Sequence, residues 1–436
     1  MTVITALHVL DVRAPTSRTL AGSDAVHTDP DYSVAYVILG TDDPTLRGHG
    51  FTFTLGRGTE VVGAAIRALE GLIVDRDLDD IVGAFGVWHR ELTNETQLRW
   101  LGPDKGVIHL AVAAIVNAVW DLWAKREGKP VWQLVSDLSP EEFVDLIDWR
   151  YLSDALTRDE AIALLRQLAP TRTERIATLQ RDGYPAYITS AGWLGYSDAK
   201  VGDLVRASLD AGFTRFKAKV GISVADDVRR ISLMRELLGP DLQLMVDANQ
   251  VWDVGQAIEW MAHLQPFDLA WIEEPTSPDD VLGHATIRSA VAPIGVATGE
   301  HAMNKVLFKQ LFQAEAIDYA QVDACRLGGL NEVLAVLLMA AKFGIPVCPH
   351  AGGLGLCEYV QHISAIDYIC VSGQLDGRST EFADHLHEHF VDPVRVVGGA
   401  YQLPSRPGYS AEMHADSLRR LAYPHGTDWV ASHVHD

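Results

Sequence analysis

The sequence predicts an α/β protein in which a TIM-type (β/α)7β barrel carries an α+β capping domain. From about residue 145, short apolar strands alternate with amphipathic helices, which is typical of βαβ units and a parallel sheet. Six of these strands end in polar residues that recur every 23 to 28 residues, and this period favours a closed barrel over an open sheet. The 436 residues exceed the size at which one core usually stops growing, so a second, smaller domain is expected.

The first 140 residues are predicted to form most of the capping domain. Residues 4–12 and 32–39 are β-branched and apolar and predict two strands joined by a loop. Helical periods then cover 60–73, 78–90 and 105–126, and Gly128 and Pro130 close the last of them.

The barrel is predicted over residues 141–390. Its first strand is expected near 146–151, and a long insert follows, with a helix over 157–168 and the loop SAGWLGYSD, part of which is expected to cover the barrel mouth. The later strands are predicted to end at Lys219, Asp247, Glu273, Glu300, Asp323, His350 and Glu381. The tail over 391–436, with VRVVGGAYQLP, is predicted to return to the capping domain.

Charge and composition exclude several classes of protein. With 58 acidic and 36 basic residues the net charge is −22, which repels phosphate backbones and anionic membranes. We therefore expect no nucleic acid and no membrane among the partners. The start MTVITALHVLDVRAP lacks the pattern of a signal peptide, and the four cysteines show no CxxC spacing, so we expect a cytoplasmic protein with reduced thiols.

Three carboxylates end consecutive predicted strands of the barrel: Asp247, Glu273 and Glu300. Ends of barrel strands converge on one face, and carboxylate oxygens are the ligands that Mg²⁺ prefers. The sequence therefore predicts a magnesium site at the barrel mouth, which Asn249 could support. Glu274 follows Glu273 directly, and alternation along a strand predicts that only one of the two faces the barrel axis.

Two lysines precede this site by one strand. Lys217 and Lys219 are two residues apart in FKAKV, so an extended strand places both on one face, inside the barrel. A neighbouring cation and partial desolvation both lower the pKa of a lysine, which predicts a neutral amine that can act as a base. A pair of solvated lysines would be the better interpretation without the carboxylates beside them.

Asp323 and His350 end adjacent predicted strands. A carboxylate at that distance can accept a hydrogen bond from one imidazole nitrogen and favour the imidazolium form, so His350 is a candidate general acid. His385, His387 and His389 in DHLHEHF resemble a metal cluster, but Mg²⁺ does not seek imidazole, and no role is assigned to them.

The order and spacing of the two KxK lysines, the three carboxylates and the Asp323–His350 pair resemble those of the mandelate-racemase-like branch of the enolase superfamily. The resemblance covers nearly the whole chain. More narrowly, the chain resembles the L-fuconate dehydratases in the stretches GSDA, LTNETQLRWLGPDKGV, RYLSDALTRDEA, GWLGYSD, WIEEPTSPDDVLGHA, CPHAGGLGLCE and EFADHLHEHFVDPV.

The resemblance implies a Mg²⁺-dependent lyase of carbohydrate catabolism that removes water from an acid sugar. Lys219 would remove the proton next to the carboxylate, Lys217 would assist in stabilising the enediolate, and His350, oriented by Asp323, would protonate the departing 3-hydroxyl. L-Fuconate would give 2-keto-3-deoxy-L-fuconate and water. That the superfamily pairs a lysine or histidine base with magnesium is a general pattern.

The resemblance also implies a set of substrate contacts. A loop of the capping domain would close over the substrate, and Glu381 could bind its distal hydroxyls. The expected contacts are Ser23, Asp24, Ala25, Tyr32, Trp193, Lys217, Asn249, His301 and Glu381.

Two other functions stay open on the sequence. A racemase or epimerase of a related sugar acid would use the same Lys219 and His350 but return the proton to the other face. A non-catalytic binding homologue would keep the fold and lose a ligand or base, and here all are retained. By analogy with the family we expect a homo-oligomer.

Overall fold

A three-stranded antiparallel sheet in the order β1-β2-β3 forms the centre of the capping domain in a computed structural model that describes residues 1–430. Helices pack on one face of this sheet. The elements are β1 (Ile4–Arg13), β2 (Ser33–Thr41), β3 (Arg47–Thr54), α1 (Thr59–Ala68), α2 (Leu78–Gly83), α3 (Phe85–Thr93), α4 (Gly106–Arg126), α5 (Val131–Asp137) and α6 (Pro140–Asp145). The predicted helix over 78–90 is thus two helices, which separate at Ala84.

Helix α4 lies between the capping sheet and the barrel. By length and composition it could cross a membrane, but 83% of its most apolar window is buried inside the protein. Two polar side chains on it reach the barrel: Asn117 Nδ2 donates to Ala324 O at 3.1 Å, and Trp120 Nε1 donates to Asn331 Oδ1 at 2.8 Å. Its apolar character therefore reflects its place in the core.

Parallel strands alternate with helices in the second part of the chain. The elements are α7 (Arg158–Leu168), α8 (Arg172–Asp182), β4 (Tyr184–Ile188), α9 (Asp198–Asp210), β5 (Arg215–Lys219), α10 (Val224–Leu238), β6 (Gln243–Asp247), α11 (Val254–Leu264), β7 (Trp271–Glu273), α12 (Val281–Val291), β8 (Gly295–Thr298), α13 (Lys305–Gln313), β9 (Tyr319–Ala320), α14 (Leu330–Phe343), α15 (Leu356–Ile366) and β10 (Thr380–Phe382).

Hydrogen bonds close these strands into a ring. Strands β4 to β9 pair in sequence order and β10 pairs in parallel with β4. The segment over 346–350 fills the gap between β9 and β10, because Cys348 N donates to Ala320 O, His350 N to Val322 O and Glu381 N to Pro349 O. Within the described residues 1–430, the ring has eight strand positions with seven helices between them, which is the predicted (β/α)7β order.

The first barrel strand is not where the sequence predicted it. Residues 146–151 form turns, and the first strand of the barrel is β4 at Tyr184–Ile188. Leu146 and Ile147 are buried without joining a sheet, so their apolar character indicated core packing rather than a strand. Strand β4 contains Pro185, which has no N–H to donate, so this stretch of sequence does not have the pattern of a central strand. The only residue of β4 that pairs with β5 is Ile188.

The beginning of the tail also departs from the prediction. Strands β11 (Val396–Val397) and β12 (Ala400–Tyr401) form a hairpin, and β12 pairs with β4 of the barrel, not with the capping sheet. Gly398 and Gly399 both have positive φ and make the tight turn that such a hairpin requires. The beginning of the tail therefore pairs with the edge of the barrel strand β4.

Later parts of the tail do contact the capping domain. Tyr36 Oη donates to Ala411 O at 3.1 Å, and Val12 forms a bridge with Ala422. Helices α16 (Ala415–Leu421) and α17 (Thr427–Val430) follow. The division into 1–140, 141–390 and 391–436 stays a proposal, with these two details corrected.

A close approach between β3 and α4 gives a test of the packing. A Cβ added at Gly50 would lie 2.3 Å from Ala118 N and 2.5 Å from Ala114 O, which are backbone atoms that cannot move aside. We expect Gly50→Ala to destabilise the protein by about 1–3 kcal/mol or more, the usual cost of overpacking. The measurement is the urea or thermal unfolding midpoint.

Gly71→Ala is the matched control, because a Cβ at Gly71 meets nothing within 4 Å. Equal midpoints for the two variants would show that the strand and helix do not pack this closely.

Candidate active site

Three buried carboxylates meet at the carboxyl end of the barrel. Asp247 ends β6, Glu273 ends β7, and Glu300 follows β8 by two residues, after Gly299 with φ +143°. One oxygen of each carboxylate lies within 4.8 Å of the other two. Ligand distances of 2.0 to 2.6 Å around one divalent cation give separations in this range.

Unsatisfied acceptors in the same place support this fit. Asn249 Oδ1 is buried and accepts no hydrogen bond within the described residues 1–430, and the buried Glu300 Oε2 has an ion pair to His350 Nε2 at 3.3 Å but no hydrogen bond. Asn249 N donates to Asp247 Oδ1 at 2.9 Å, so the backbone orients that ligand. The donor set consists of hard oxygen atoms, and it fits a cation such as Mg²⁺ or Mn²⁺ better than a metal that prefers sulfur or imidazole.

The two lysines contact these carboxylates directly. Lys219 Nζ lies 2.5 Å from Asp247 Oδ2, and the fully buried Lys217 pairs with Glu273 and, at 2.7 Å, with Glu381 Oε1. The predicted placement of both lysines inside the barrel therefore holds in the structure. Strand register explains it, since Lys219 lies opposite Asp247 and Asp247 opposite Glu273.

The predicted direction of the lysine pKa shift is wrong for this arrangement. Burial and Lys217 both lower the pKa of Lys219, but the nearby carboxylates, of which Asp247 contributes most, together raise it above the ordinary value. For Lys217, burial is likewise outweighed by Glu273 and Glu381. A cation that took over Asp247 would remove this stabilisation and repel the ammonium group, which lowers the pKa of Lys219.

The carboxylates do not share the same electrostatic environment. Burial raises the pKa of Asp247, but Lys219 and Lys217 more than offset it, so the pKa lies below its usual range. For Glu273, burial and the nearby charge of Asp247 raise the pKa well above its usual range in spite of Lys217. A divalent cation is the charge that would let all three carboxylates ionise together.

His350 and Asp323 form the predicted pair. His350 Nδ1 lies 2.7 Å from Asp323 Oδ2, and Asp323 Oδ1 accepts hydrogen bonds from the backbone N–H groups of Cys325 and Arg326. The Nε2 atom lies 3.3 Å from Glu300 Oε2. Although burial lowers the pKa of His350, Glu300 and Asp323 raise it to about 10, so the imidazole is protonated at neutral pH.

A cavity of 410 Å³ opens above these groups. Lys219, Glu300, Asp323, His350 and Glu381 line its floor. The capping domain contributes Asp24, His27, Tyr32, Phe53 and Arg57 to its walls, and the barrel loops contribute Trp193, Asn249, His301 and Arg326.

Some expected substrate contacts do not line this cavity. Ser23 Oγ accepts from Gly195 N at 2.8 Å and donates to Leu20 O, so it holds the capping loop against the loop after β4. Ala25 lies beside the backbone of Gly221. Lys217 is completely buried beneath the cavity. These three residues therefore lie behind the residues that line the cavity and support them.

Glu381 also differs from its expected place. Its Oε1 pairs with Lys217, and its Oε2 accepts from Ala351 N at 3.0 Å and lies 3.9 Å from His350 Nε2. Both oxygens are thus engaged at the floor of the cavity. This favours an electrostatic role between Lys217 and His350 over the binding of distal hydroxyls.

The histidines of DHLHEHF have three separate surroundings. His385 packs its ring edge-on against Tyr32 and Trp193, His387 Nδ1 lies 2.8 Å from Glu358 Oε1, and His389 Nδ1 lies 3.0 Å from Ser417 Oγ. They do not converge on one point, so they do not form the metal cluster that their spacing resembles.

Sequence reasoning missed the part played by Glu274. The strand ends at Glu273, and Glu274 has φ +43°, so alternation no longer decides where its side chain lies. Its carboxylate is fully buried, and its Oε1 lies 2.9 Å from His301 Nδ1. The doubled glutamate at a strand end was the available signal.

Family models match both parts of the chain. A model described as mandelate racemase / muconate lactonizing enzyme, N-terminal domain, matches residues 9–136, and one described as enolase C-terminal domain-like matches residues 200–417. The chain belongs to the enolase superfamily. The expected superfamily and fold class are confirmed, whereas the narrower match to L-fuconate dehydratases stays a prediction.

Individual relatives match nearly the full length of the chain. An L-galactonate dehydratase of Hypocrea jecorina is 53% identical, over 98% of this chain and 96% of that protein. The crystal structure of human mitochondrial enolase superfamily member 1 is 54% identical, with a TM-score of 0.98 over 99% of this chain and 98% of that one. An L-talarate/galactarate dehydratase of Salmonella typhimurium, liganded with Mg and L-lyxarohydroxamate, is 25% identical, with a TM-score of 0.74 over 96% and 92%.

The His350 environment leads to a pH prediction. In protein held in EDTA, the Cε1 proton of His350 should titrate near pH 10, well above the 6.5 of a free histidine. Asp323→Asn should lower this pKa by about 1–2 units, since a favourable charge is lost. Saturating MgCl₂ should also lower it, because a cation on Glu300 competes for the same carboxylate. NMR titration of the histidine ring protons measures each value.

Asp318→Asn serves as the control, because Asp318 pairs with Arg288 away from the cavity. A wild-type His350 that titrated near 6.5, or a value that did not move in Asp323→Asn, would contradict the assignment.

Proposed function

We propose that this enzyme is a magnesium-dependent sugar-acid dehydratase that acts on acids of the L-galacto configuration, namely L-galactonate and its 6-deoxy form, L-fuconate. The observation that carries the proposal is the meeting of Lys219 and His350 on one carboxylate cluster. Lys219 contacts Asp247, and His350 approaches Glu300, while both line the same cavity. A base and an acid at one site suit removal of a proton from one carbon and a hydroxide from the next.

Asp247, Glu273 and Glu300 would hold the magnesium ion. When bound, the ion supplies positive charge that stabilises a substrate carboxylate as it gains a second negative charge. The L-talarate/galactarate dehydratase structure with Mg supports this choice of ion. The three carboxylates and the buried Asn249 oxygen without a hydrogen bond within residues 1–430 are features of this chain that fit it.

Lys219 is the proposed base. It lies at the cavity floor and is the member of the lysine pair that reaches the cavity, since Lys217 has no accessible surface. Lys219 would take the proton next to the carboxylate, and a cation held by Asp247 would lower the pKa of this lysine. Lys217, fixed between Glu273 and Glu381, adds positive charge beneath the enediolate.

His350 is the proposed acid. Asp323 keeps Nδ1–H in a hydrogen bond, so the proton on Nε2 points to the cavity side of the ring. Transfer of that proton to the 3-hydroxyl releases water, and the resulting enol tautomerises to a 2-keto-3-deoxy acid. The lining residues Asp24, Tyr32, Trp193, Asn249 and His301 are the proposed substrate contacts.

The substrate class rests on the relatives and on size. The L-galactonate dehydratase of Hypocrea jecorina matches over nearly the full length of both chains. L-Galactonate and L-fuconate differ only at C6, which is a hydroxymethyl or a methyl group. A cavity of 410 Å³ with apolar walls at Phe53, Val62 and Leu110 accommodates either end.

Product analysis tests the proposed function. Purified protein with MgCl₂ should convert L-galactonate, L-fuconate or both to a 2-keto-3-deoxy acid, detected as its semicarbazone, and EDTA should stop the reaction. Exchange of the α-proton for deuterium with an inverted product and no keto acid would instead identify an epimerase. Turnover without metal, or none with any acid sugar, would reject the proposal.

The base is tested separately. Lys219→Ala should lower turnover by about 10²–10⁴-fold or more, the usual contribution of a general base, and should stop α-proton exchange in D₂O. Lys129→Ala is the control, since Lys129 pairs with Asp137 at the surface. Near-normal exchange in Lys219→Ala would remove Lys219 from this role.

A further inference from the structure

A second carboxylate–imidazole pair lies beside the first. Glu274 Oε1 is 2.9 Å from His301 Nδ1, as Asp323 Oδ2 is 2.7 Å from His350 Nδ1. The two imidazoles approach different oxygens of Glu300: His301 Nδ1 lies 3.4 Å from Oε1, and His350 Nε2 lies 3.3 Å from Oε2. Glu300 is therefore flanked by two rings that are each oriented by a separate carboxylate.

One edge of the His301 ring contacts protein groups, and the other edge faces the cavity. Its Nδ1 lies 2.9 Å from Glu274 Oε1, 3.4 Å from Glu300 Oε1 and 2.6 Å from Gln250 Nε2, so protein groups engage this side of the ring. Within residues 1–430 no protein group hydrogen-bonds Nε2, and the ring lines the cavity with 23% of its side chain exposed. The Nε2 atom is thus available to a molecule in the cavity.

Glu274 is built into the protein to hold this ring. It has no accessible surface, its Oε2 accepts from Gln250 Nε2 at 2.8 Å, and its backbone N–H donates to Ala297 O. Gln250 and Glu274 both adopt positive φ, which costs free energy in residues other than glycine and persists at functional sites when the surroundings impose it. A solvated histidine would need none of this support.

We propose that His301, positioned by Glu274, is a specificity-determining residue that binds a hydroxyl group of the sugar acid through Nε2, beside Glu300 and apart from His350. A hydroxyl both donates and accepts, so it pairs with Nε2 whether or not that nitrogen carries a proton. A site built to bind a hydroxyl rejects a substrate that lacks it in that position, since the buried polar group is then left unpaired. The inference rests on the proposed function, because it takes a polyhydroxy acid as the ligand.

The test measures binding in protein that cannot turn over. In a Lys219→Ala background with MgCl₂, isothermal titration calorimetry gives the Kd of L-galactonate, of its C2, C4 and C5 epimers, and of L-fuconate. We expect the Lys219→Ala protein to discriminate among them. Adding His301→Leu should reduce the discrimination at one carbon about tenfold or more and leave the others within about twofold.

Two further variants keep the test informative if His301→Leu folds poorly. His301→Gln retains an amide that can reach the same hydroxyl, and Glu274→Gln retains the shape of Glu274 but not its charge. Both should weaken discrimination at the same carbon by less than His301→Leu. His263→Gln, at an exposed position on α11, should leave the whole panel unchanged.

Several results would overturn the inference. These are a Lys219→Ala protein that binds all the acids equally, a His301→Leu variant that weakens all of them by one factor, and a variant that changes none. If wild-type protein forms the keto acid in any of these cases, the proposed function stands and only the role of His301 and Glu274 fails. If no sugar acid binds and no keto acid forms, the proposed function fails and the inference fails with it.

Discussion

The buried charge cluster inside the barrel is the constraint on which the site depends. Lys217, Asp247 and Glu273 have no accessible surface, and burying such groups costs several kcal/mol each unless they are paired. The strand register sets Lys219 opposite Asp247 and Asp247 opposite Glu273, and the Lys217 side chain reaches Glu273. Removing one partner would leave an uncompensated charge in the core. The cluster therefore restricts both the register of β5 to β7 and the residues that can stand at their ends.

The capping domain contributes to this site through close backbone contacts. A Cβ at Gly22 or at Gly353 would fall within 2.6 Å of the Tyr32 ring, so that ring lies directly between the capping loop and the loop that follows His350. The ring also packs edge-on against Trp193. The two loops thus share one aromatic side chain, and a movement of the capping loop would be transmitted to the loop beside the proposed acid.

Much of this arrangement follows from local sequence, and the rest depends on contacts between distant residues. Polar residues at regular strand ends were enough to predict the positions of Asp247, Glu273 and Lys219, because alternation and strand order decide them. The pKa of Lys219 was predicted in the wrong direction, because the prediction counted burial and Lys217 but not the charge of the nearby Asp247. The first strand was misplaced because the apolar pair at Leu146 is equally consistent with core packing.

Positive φ at strand ends explains why the Glu274–His301 pair was not predicted from strand alternation. Period-2 alternation assigns Glu274 to the outside, yet a residue beyond the last strand position is free of it. The same holds for Asn249 and Gln250, which follow β6 with φ of +45° and +67°. Period-2 alternation therefore stops at the end of a strand, and one extra residue there can direct a side chain into the cavity. Barrel enzymes can in this way change which substrate groups they contact without altering the register that holds the charged cluster.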